Sequence, residues 1–164
     1  MDATAQEAKL RLIKSQQKLV KAWFRALKKQ PSGALNKQFH EAHRQTFEAM
    51  DCLTCARCCS EVGPLFTDRD IQRLSKHLGL KASEFEHRYL RLDEDGDWVL
   101  QSVPCPFLGE DKHCSVYDYR PKACREYPHT DHAQMKEVLD LTRKNAACCP
   151  AVADMVLRMM HSRP

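Results

Sequence analysis

The sequence predicts a mainly α-helical fold with small β-hairpins, an α+β chain with an irregular cysteine-rich core. Two observations lead to this prediction. Apolar residues recur every three or four positions near both ends of the chain, which is the periodicity of amphipathic helices. Seven of the nine cysteines lie between positions 52 and 124, among short segments separated by turn signals.

The length and composition predict a single domain. A chain of 164 residues with 43% hydrophobic and 29% charged residues is long enough to bury a core. We expect an N-terminal helical pair over 1–50, a cysteine-cluster region over 51–150 and a C-terminal helix over 151–164. No stretch approaches the roughly 18 apolar residues that span a membrane, and the first residues lack the apolar segment of a secretory signal. A cytoplasmic location is therefore expected.

The N-terminal region predicts two amphipathic helices. The first covers 7–29 and ends at Pro31-Ser32-Gly33, and the second covers about 34–50. The apolar faces consist of Leu10, Ile13, Val20, Trp23, Phe24 and Leu27 in the first helix, and of Leu35, Phe39, His43, Phe47 and Met50 in the second. Because His43 shares this face, we interpret it as a core or boundary residue rather than a metal ligand.

Positive charge is concentrated in the first predicted helix. Residues 1–30 hold eight Lys or Arg against two acids, which is +6, so the net charge of +4 leaves −2 for residues 31–164. We interpret this charge as a solvated helix face that could dock a protein partner. Nucleic acid is not expected as a partner, because aromatic residues of the kind that stack on bases do not alternate with the basic ones.

Two helices in the middle of the chain have start signals. Thr67 followed by Asp70 resembles a capping box, and Gly79 stands where a helix-ending glycine belongs. Ser83 with Glu86 predicts a second, shorter helix to about residue 90.

Turn signals predict the remaining elements. Asp95-Gly96 indicates a two-residue turn in a hairpin over 92–101. A shorter ribbon would pair 105–108 with 114–117, and Pro121 would open a short helix that carries Cys124. The last predicted helices cover 132–147 and 151–161, the latter with Pro150 near its first position.

The cysteine run at 52–59 is the strongest functional signal. Cys52, Cys55 and Cys58 are separated by two residues each, and Cys59 follows directly. In one tight loop this spacing lets consecutive thiolates point at a common centre, as a zinc ion or an iron–sulfur cluster requires. The other cysteines are Cys105, Cys114, Cys124, Cys148 and Cys149.

We interpret these thiols as metal ligands rather than disulfide partners. Clustered cysteines in a reducing compartment more often bind metal, and adjacent cysteines such as Cys58-Cys59 rarely bridge to each other. Nine thiols allow one four-thiolate site with spares, two sites, or a dinuclear centre with bridging thiolates. Because metal binding contributes to folding free energy, we expect the irregular core to be metal-stapled.

The chemistry beyond metal binding stays open at this level. Cys105 and Cys149 each precede a proline, an arrangement that echoes iron–sulfur motifs. His113 and His129 are alternative nitrogen donors, and positive residues around Cys124 would offset thiolate charge. These positive residues are Arg120, Lys122 and Arg125. No His-Glu-x-x-His, phosphate-binding glycine loop or Gly-x-Ser-x-Gly occurs, so no catalytic residue is assigned and enzymatic activity stays undecided.

The ordered cysteine blocks resemble the YkgJ-like cysteine-cluster family. The matching blocks are Cys52-x₂-Cys55-x₂-Cys58-Cys59, Cys105-Pro-Phe-Leu, and Cys114-x-Val-Tyr-x₂-Arg-Pro-x₂-Cys124-Arg-x-Tyr-Pro128. The resemblance runs from about Cys52 to Pro150 and includes the Leu-Phe-Thr-Asp-x-Asp-Ile sequence at 65–71. It implies a zinc- or iron-chelating domain of a mainly bacterial family.

The resemblance also implies a ligand set. Its members are Cys52, Cys55, Cys58, Cys59, Cys105, Cys114, Cys124 and one late cysteine, for which we take Cys149 and keep Cys148 as the alternative. The first hypothesis is a metal-binding protein with one or two centres. The alternatives are an iron–sulfur enzyme or redox protein, by distant analogy with flagellin lysine N-methylase, and an interaction module with a structural zinc.

Overall fold

A computed structural model describes residues 3–162 of the chain. The helices in order are α1 (Ala3–Ser15), α2 (Gln17–Leu27), α3 (Ser32–Glu48), α4 (Cys52–Cys55), α5 (Arg57–Glu61), α6 (Asp68–His77), α7 (Ala82–Tyr89), α8 (Lys122–Glu126), α9 (Met135–Asn145) and α10 (Pro150–His161). The strands are β1 (Leu65–Phe66), β2 (Leu90–Leu92) and β3 (Trp98–Leu100), and a 3₁₀ turn covers Tyr117–Tyr119. The mainly helical class with a small antiparallel sheet is confirmed.

The described residues form two compact units. We call residues 3–51 with 128–162 the helical unit, and residues 52–127 the cysteine unit. The chain passes from the first unit to the second between Asp51 and Cys52, and returns to the first between Tyr127 and Pro128. None of the described helices is both long enough and apolar enough to cross a bilayer.

The predicted first helix is wrong in one respect, because it is two helices. α1 and α2 meet at Gln16, which leaves the helical conformation at φ −102° and ψ 22°. The Ser15 hydroxyl donates to the Leu12 carbonyl oxygen at 2.9 Å, and the Gln16 N–H donates to the same oxygen at 3.1 Å. Such side-chain competition for a helix carbonyl bends helices. The apolar face is nevertheless buried as predicted on both sides of the bend.

The buried face of α3 is rotated from the predicted one. Leu35 and Phe39 are buried as expected, but Ala42 and Thr46 follow them in the core. A constant four-residue step overshoots the 3.6-residue turn, so the expected line drifts away from the core. His43 lies at the boundary, where its Nδ1 is 2.8 Å from Thr130 Oγ1.

The hydrophobic core of the helical unit centres on α10. Pro150 occupies the first turn as predicted, and eight residues of the helix are buried. α1 and α3 both pack against α10, while α9 packs against α3 and α2. The Arg158 guanidinium donates to the buried Thr46 hydroxyl, which in turn donates to the Ala42 carbonyl oxygen at 2.7 Å. Polar groups in this core are therefore hydrogen-bonded to one another.

The start and end signals of α6 are confirmed. Thr67 accepts a hydrogen bond from the Asp70 N–H, and the Asp70 carboxylate accepts one from the Thr67 N–H. Gly79 has φ +69°, and the Leu80 N–H donates to the Ser75 carbonyl oxygen at 2.8 Å, which closes a Schellman motif.

The predicted start of α7 is wrong by two residues. α6 ends at His77, and after its Schellman motif α7 begins at Ala82 with Lys81 as its N-cap. The Glu84 carboxylate accepts the Lys81 N–H at 2.7 Å, and Ser83 lies inside the helix.

The sheet of the cysteine unit has the order β1-β3-β2, and both pairings are antiparallel. The predicted hairpin is present with Leu92 opposite Trp98. Its turn is longer than predicted, because the Asp93 N–H donates to the Asp97 carbonyl oxygen at 3.0 Å around three residues, with Gly96 at φ +81°. The second expected ribbon is a single bridge between Leu108 and Cys114.

Candidate metal centre

The first cysteine block folds into two short helical turns, where the sequence predicted one tight loop. α4 carries Cys52 and Cys55, and α5 carries Cys58 and Cys59. Ala56 joins them in the left-handed conformation, with φ 48° and ψ 14°, and is only 5% exposed. A non-glycine residue in this region is strained by about 1–3 kcal/mol and persists only where its surroundings hold it, often at functional sites.

The second block is tied to the first by the backbone. The Cys105 N–H donates to the Cys59 carbonyl oxygen at 2.7 Å. The chain then turns back at the bridge between Leu108 and Cys114, which brings Cys114 alongside the segment that Cys105 begins. Both thiols pack against the apolar core of the cysteine unit, so hydrophobic burial positions these two candidate ligands.

The third block is the short helix α8. Pro121 is its N-cap, which agrees with the predicted start, and the Cys124 N–H donates to the Pro121 carbonyl oxygen at 3.0 Å. α8 lies beside β1, the first strand of the sheet. Three separate stretches of the cysteine unit therefore contribute thiols.

Cys58 and Cys59 form a close thiol pair. Their Sγ atoms are 3.9 Å apart. The hydrogen bond with Cys58 lowers the pKa of Cys59 to about 7 against the opposing effect of burial, and the Arg120 guanidinium contributes in the same direction. Thiolate is the form that binds metal, so the lowered pKa favours ligation by Cys59.

Burial raises the pKa values of the other thiols in the cysteine unit. The pKa of Cys105 rises to about 11 and that of Cys124 to about 12, and the pKa of Cys114 is also raised. Negative charge on Cys59 adds to the effect of burial at all three positions. Thiols that oppose one another's ionisation lie close together, and a bound cation would remove that opposition.

Arg120 is the positive residue that acts on this group. Its charge favours the thiolate forms of Cys59, Cys114 and Cys124. The guanidinium carbon lies 3.3 Å from the centre of the Tyr117 ring. Within the described residues, the buried Nε of Arg120 has no hydrogen-bond partner. Of the three positive residues expected near Cys124, Arg120 is one whose charge lowers the pKa of that thiol.

The other two positive residues have different contacts. Arg125 Nη1 donates to the Arg120 carbonyl oxygen at 2.5 Å. Lys122 Nζ lies 3.7 Å from Glu126 Oε1 on the surface of α8.

Asp70 and Arg73 of α6 contact the segment that leads into α8, and the sequence alone did not predict these contacts. Asp70 is only 1% exposed. Its Oδ1 accepts hydrogen bonds from Arg73 Nη2 at 2.7 Å and from the Lys122 N–H at 3.1 Å. The same Arg73 nitrogen donates to the Arg120 carbonyl oxygen at 2.7 Å. The capping box identified Asp70, but nothing in the local sequence indicated a contact 52 residues away.

The late cysteines lie in the helical unit. Cys149 is the N-cap of α10 and packs against the helical core. Cys148 Sγ lies 3.5 Å from the Asn145 carbonyl oxygen. Of the alternative nitrogen donors, His113 Nδ1 lies 3.6 Å from Asp111 Oδ2, and His129 belongs to the helical unit.

The donor set suits a soft metal but is not closed around one. All nine cysteines fall within the described residues and are thiols rather than halves of disulfides. Between residues 3 and 162, no three side chains of Cys, His, Asp or Glu already stand at coordination distance from a common point. Thiolate sulfur is the ligand type that zinc and iron–sulfur centres take, so the chemistry of the residues fits either metal. Ligation requires the gathered thiols to close around the ion.

Comparison with known families identifies the same region. A family model described as "CxxCxxCC: Putative zinc- or iron-chelating domain" matches residues 51–150. No solved structure matches the chain. The matched residues include all of the cysteine unit and extend into the helical unit through both late cysteines.

Proposed function

This chain belongs to the CxxCxxCC family of zinc- or iron-chelating domains, and we propose that its cysteines bind zinc or iron in one or two centres. The proposed ligands are Cys52, Cys55, Cys58, Cys59, Cys105, Cys114, Cys124 and Cys149. The observation that carries the proposal is that separate segments bring thiols together around Cys59. Its Sγ is 3.9 Å from that of Cys58, its carbonyl oxygen accepts the Cys105 N–H at 2.7 Å, and its charge raises the pKa values of Cys105, Cys114 and Cys124.

The role of the metal in this proposal is to hold the cysteine unit together. The three thiol-bearing segments consist of helices of four or five residues and a single β-bridge. Isolated helices of this length are unstable in water. A bound cation would neutralise thiolate charge and cross-link these segments, so its binding free energy becomes folding free energy.

Elemental analysis tests the proposal directly. The chain is purified without oxygen, and zinc, iron and acid-labile sulfide are measured per chain. Zinc or iron near one or two equivalents supports the proposal, and the ratio decides the number of centres. Absorption near about 400 nm with stoichiometric sulfide would identify an iron–sulfur cluster instead of a mononuclear ion. Metal-free protein that also fails to take up Zn²⁺ or Fe²⁺ would overturn it.

Single substitutions test the ligand set. We expect Cys59→Ser and Cys105→Ser to lower the metal content markedly. Ser60→Ala is the matched control, because Ser60 neighbours Cys59 and its hydroxyl donates within its own helical turn, to the Ala56 carbonyl oxygen at 3.1 Å. Comparing Cys148→Ser with Cys149→Ser assigns the late ligand. Full metal content in both variants would exclude a late cysteine from the set.

We also propose that the protein works in a reducing compartment, the cytoplasm. The support is chemical, because nine thiols of which several are proposed ligands are kept reduced there. Mass spectrometry of alkylated protein from freshly lysed cells would check this. Disulfide-bonded cysteines in that sample would contradict it.

A further inference from the structure

Asp70 and Arg73, both on α6, connect this helix by hydrogen bonds to the segment before α8 and to the start of α8 itself. Asp70 Oδ2 accepts from the N–H and the hydroxyl of Thr67, at 3.1 and 2.7 Å, and so caps its own helix. Asp70 Oδ1 accepts from Arg73 and from the Lys122 N–H. Both carboxylate oxygens are therefore used, one for α6 and one for a distant segment.

The Lys122 N–H is one of the donors that a helix leaves without a partner at its start. Lys122 is the first residue of α8, and the N-cap of that helix is Pro121, which has no polar side chain to accept the bond. Asp70 accepts it instead, from 52 residues away in sequence. The start of the helix that carries Cys124 is therefore capped by another element.

Arg73 contacts backbone carbonyl groups of the segment just before α8. Its Nη2 donates to the Arg120 carbonyl oxygen at 2.7 Å and lies 3.3 Å from the Tyr119 carbonyl oxygen. The ring of His77, one turn further along α6, stacks on Tyr119 with centroids 3.7 Å apart. Segment 119–122 therefore contacts α6 through Tyr119, Arg120 and Lys122.

We propose that Asp70 and Arg73 are positioning residues for the metal centre, which hold segment 119–122 so that Arg120 and Cys124 face the other thiols. This inference rests on the proposed metal binding. Neither residue touches the metal in it, and Asp70 and Arg73 act through backbone groups on both sides of Pro121. Groups that orient metal ligands without contacting the ion change metal affinity by about 10–100-fold when they are removed.

The variants that test this inference have matched partners on the same helix. Arg73→Gln removes the guanidinium whose Nη2 makes these contacts, and Arg69→Gln changes an exposed arginine one turn earlier in α6. Asp70→Asn weakens the hydrogen bonds that the Asp70 carboxylate accepts, and Asp68→Asn changes an exposed carboxylate two residues away. Arg73→Lys keeps a charged donor but replaces the planar guanidinium, whose Nη2 contacts the carboxylate and both carbonyls, by a flexible ammonium, so it should rescue only partly.

Two measurements on the full-length chain decide the outcome. Competition with a chromogenic chelator gives the Zn²⁺ dissociation constant, which we expect to rise at least about tenfold in Arg73→Gln and Asp70→Asn, and less than about twofold in the two controls. Alkylation followed by mass spectrometry measures how strongly Zn²⁺ protects each thiol. We expect Cys124 to lose protection in Arg73→Gln while Cys58 and Cys59 keep theirs.

The pattern of protection separates positioning from general destabilisation and from failure of the proposed function. Equal loss of protection at Cys59 and Cys124 in Arg73→Gln would overturn the positioning role, and so would an unchanged dissociation constant with Cys124 still protected. If Asp70→Asn does not fold, the two Arg73 variants decide alone. A wild-type chain that binds neither Zn²⁺ nor Fe²⁺ overturns the proposed function itself, which is a separate result.

Discussion

The helical unit and the cysteine unit differ in the size of the hydrophobic core that each contains. Among the described residues, eighteen buried hydrophobic side chains form the core of the helical unit and eight form the core of the cysteine unit. The helices of the helical unit have 11 to 17 residues, whereas α4, α5 and α8 have four or five. Because hydrophobic stabilisation scales with the apolar area removed from water, the smaller core leaves more of the stability to other interactions.

This difference indicates what the thiols contribute. The cysteine unit has some stability of its own, since Phe85 and Leu74 are fully buried and α6 is capped at both ends. The segments that carry thiols are the ones with the least regular structure. We infer that a metal ion adds stability where burial and backbone hydrogen bonding add least.

The largest expected effect comes from a substitution in the core of the helical unit. Phe39 is fully buried and packs near Trp23, with ring centroids 6.5 Å apart. Phe39→Ala should destabilise the chain by about 3–5 kcal/mol in urea unfolding followed by circular dichroism, because a large buried ring leaves a cavity. Leu19→Ala is the control, since Leu19 is 57% exposed and its loss should cost less than about 0.5 kcal/mol. Similar losses in both variants would contradict the assignment of this core.

Metal removal should destabilise the cysteine unit. With free Zn²⁺ at about 1,000 times its dissociation constant, the metal-bound state gains about 4 kcal/mol over the metal-free state. Hydrogen exchange followed by mass spectrometry should show this loss of protection on chelation in residues 52–127, with amides of α3, which carries no proposed ligand, largely unaffected. Loss of protection throughout the helical unit would show that the two units do not differ in their dependence on metal.

A smaller effect is expected at the residue that joins the two cysteine turns. Ala56 is buried at φ 48°, and a β-branched side chain is strongly disfavoured there. Ala56→Val should lower the free energy of unfolding by about 1–3 kcal/mol and reduce the Zn²⁺ content. Ala49→Val is a suitable comparison, because Ala49 is exposed and its φ of −102° is an ordinary one. Equal effects at the two positions would argue against strain at Ala56.

The smallest expected effect is a pH dependence that belongs to Asp70. Burial opposes ionisation of this carboxyl, but hydrogen bonds from Thr67, Arg73 and the Lys122 N–H outweigh it and lower the pKa below its ordinary value of 3.8. A carboxyl whose folded pKa is depressed stabilises the fold above its unfolded pKa, and the contribution is lost as the pH falls through the folded pKa. We therefore expect metal-free protein to lose stability below about pH 4 more steeply than Asp70→Asn. Parallel urea-unfolding profiles of the two proteins at acid pH would contradict this.

The sequence by itself determined the features that depend on near neighbours. The apolar face of α1 and α2, the capping box at Thr67, the glycine that ends α6 and the proline that starts α10 all involve residues within about one helical turn, so local pattern is sufficient to predict them. The spacing of Cys52, Cys55 and Cys58 likewise indicated metal chemistry, because ligands from one short segment have a sequence signature.

Only the tertiary structure decided the interactions between distant segments. The bonds from Asp70 to Lys122 and from Arg73 to Arg120 join residues 52 and 47 positions apart, and no periodicity connects them. The left-handed Ala56 is also a tertiary outcome, because the intrinsic preference of a non-glycine residue disfavours that conformation. Helix propensities differ by fractions of a kilocalorie per residue and the strain at Ala56 amounts to about 1–3 kcal/mol, so several buried contacts between segments can together override both.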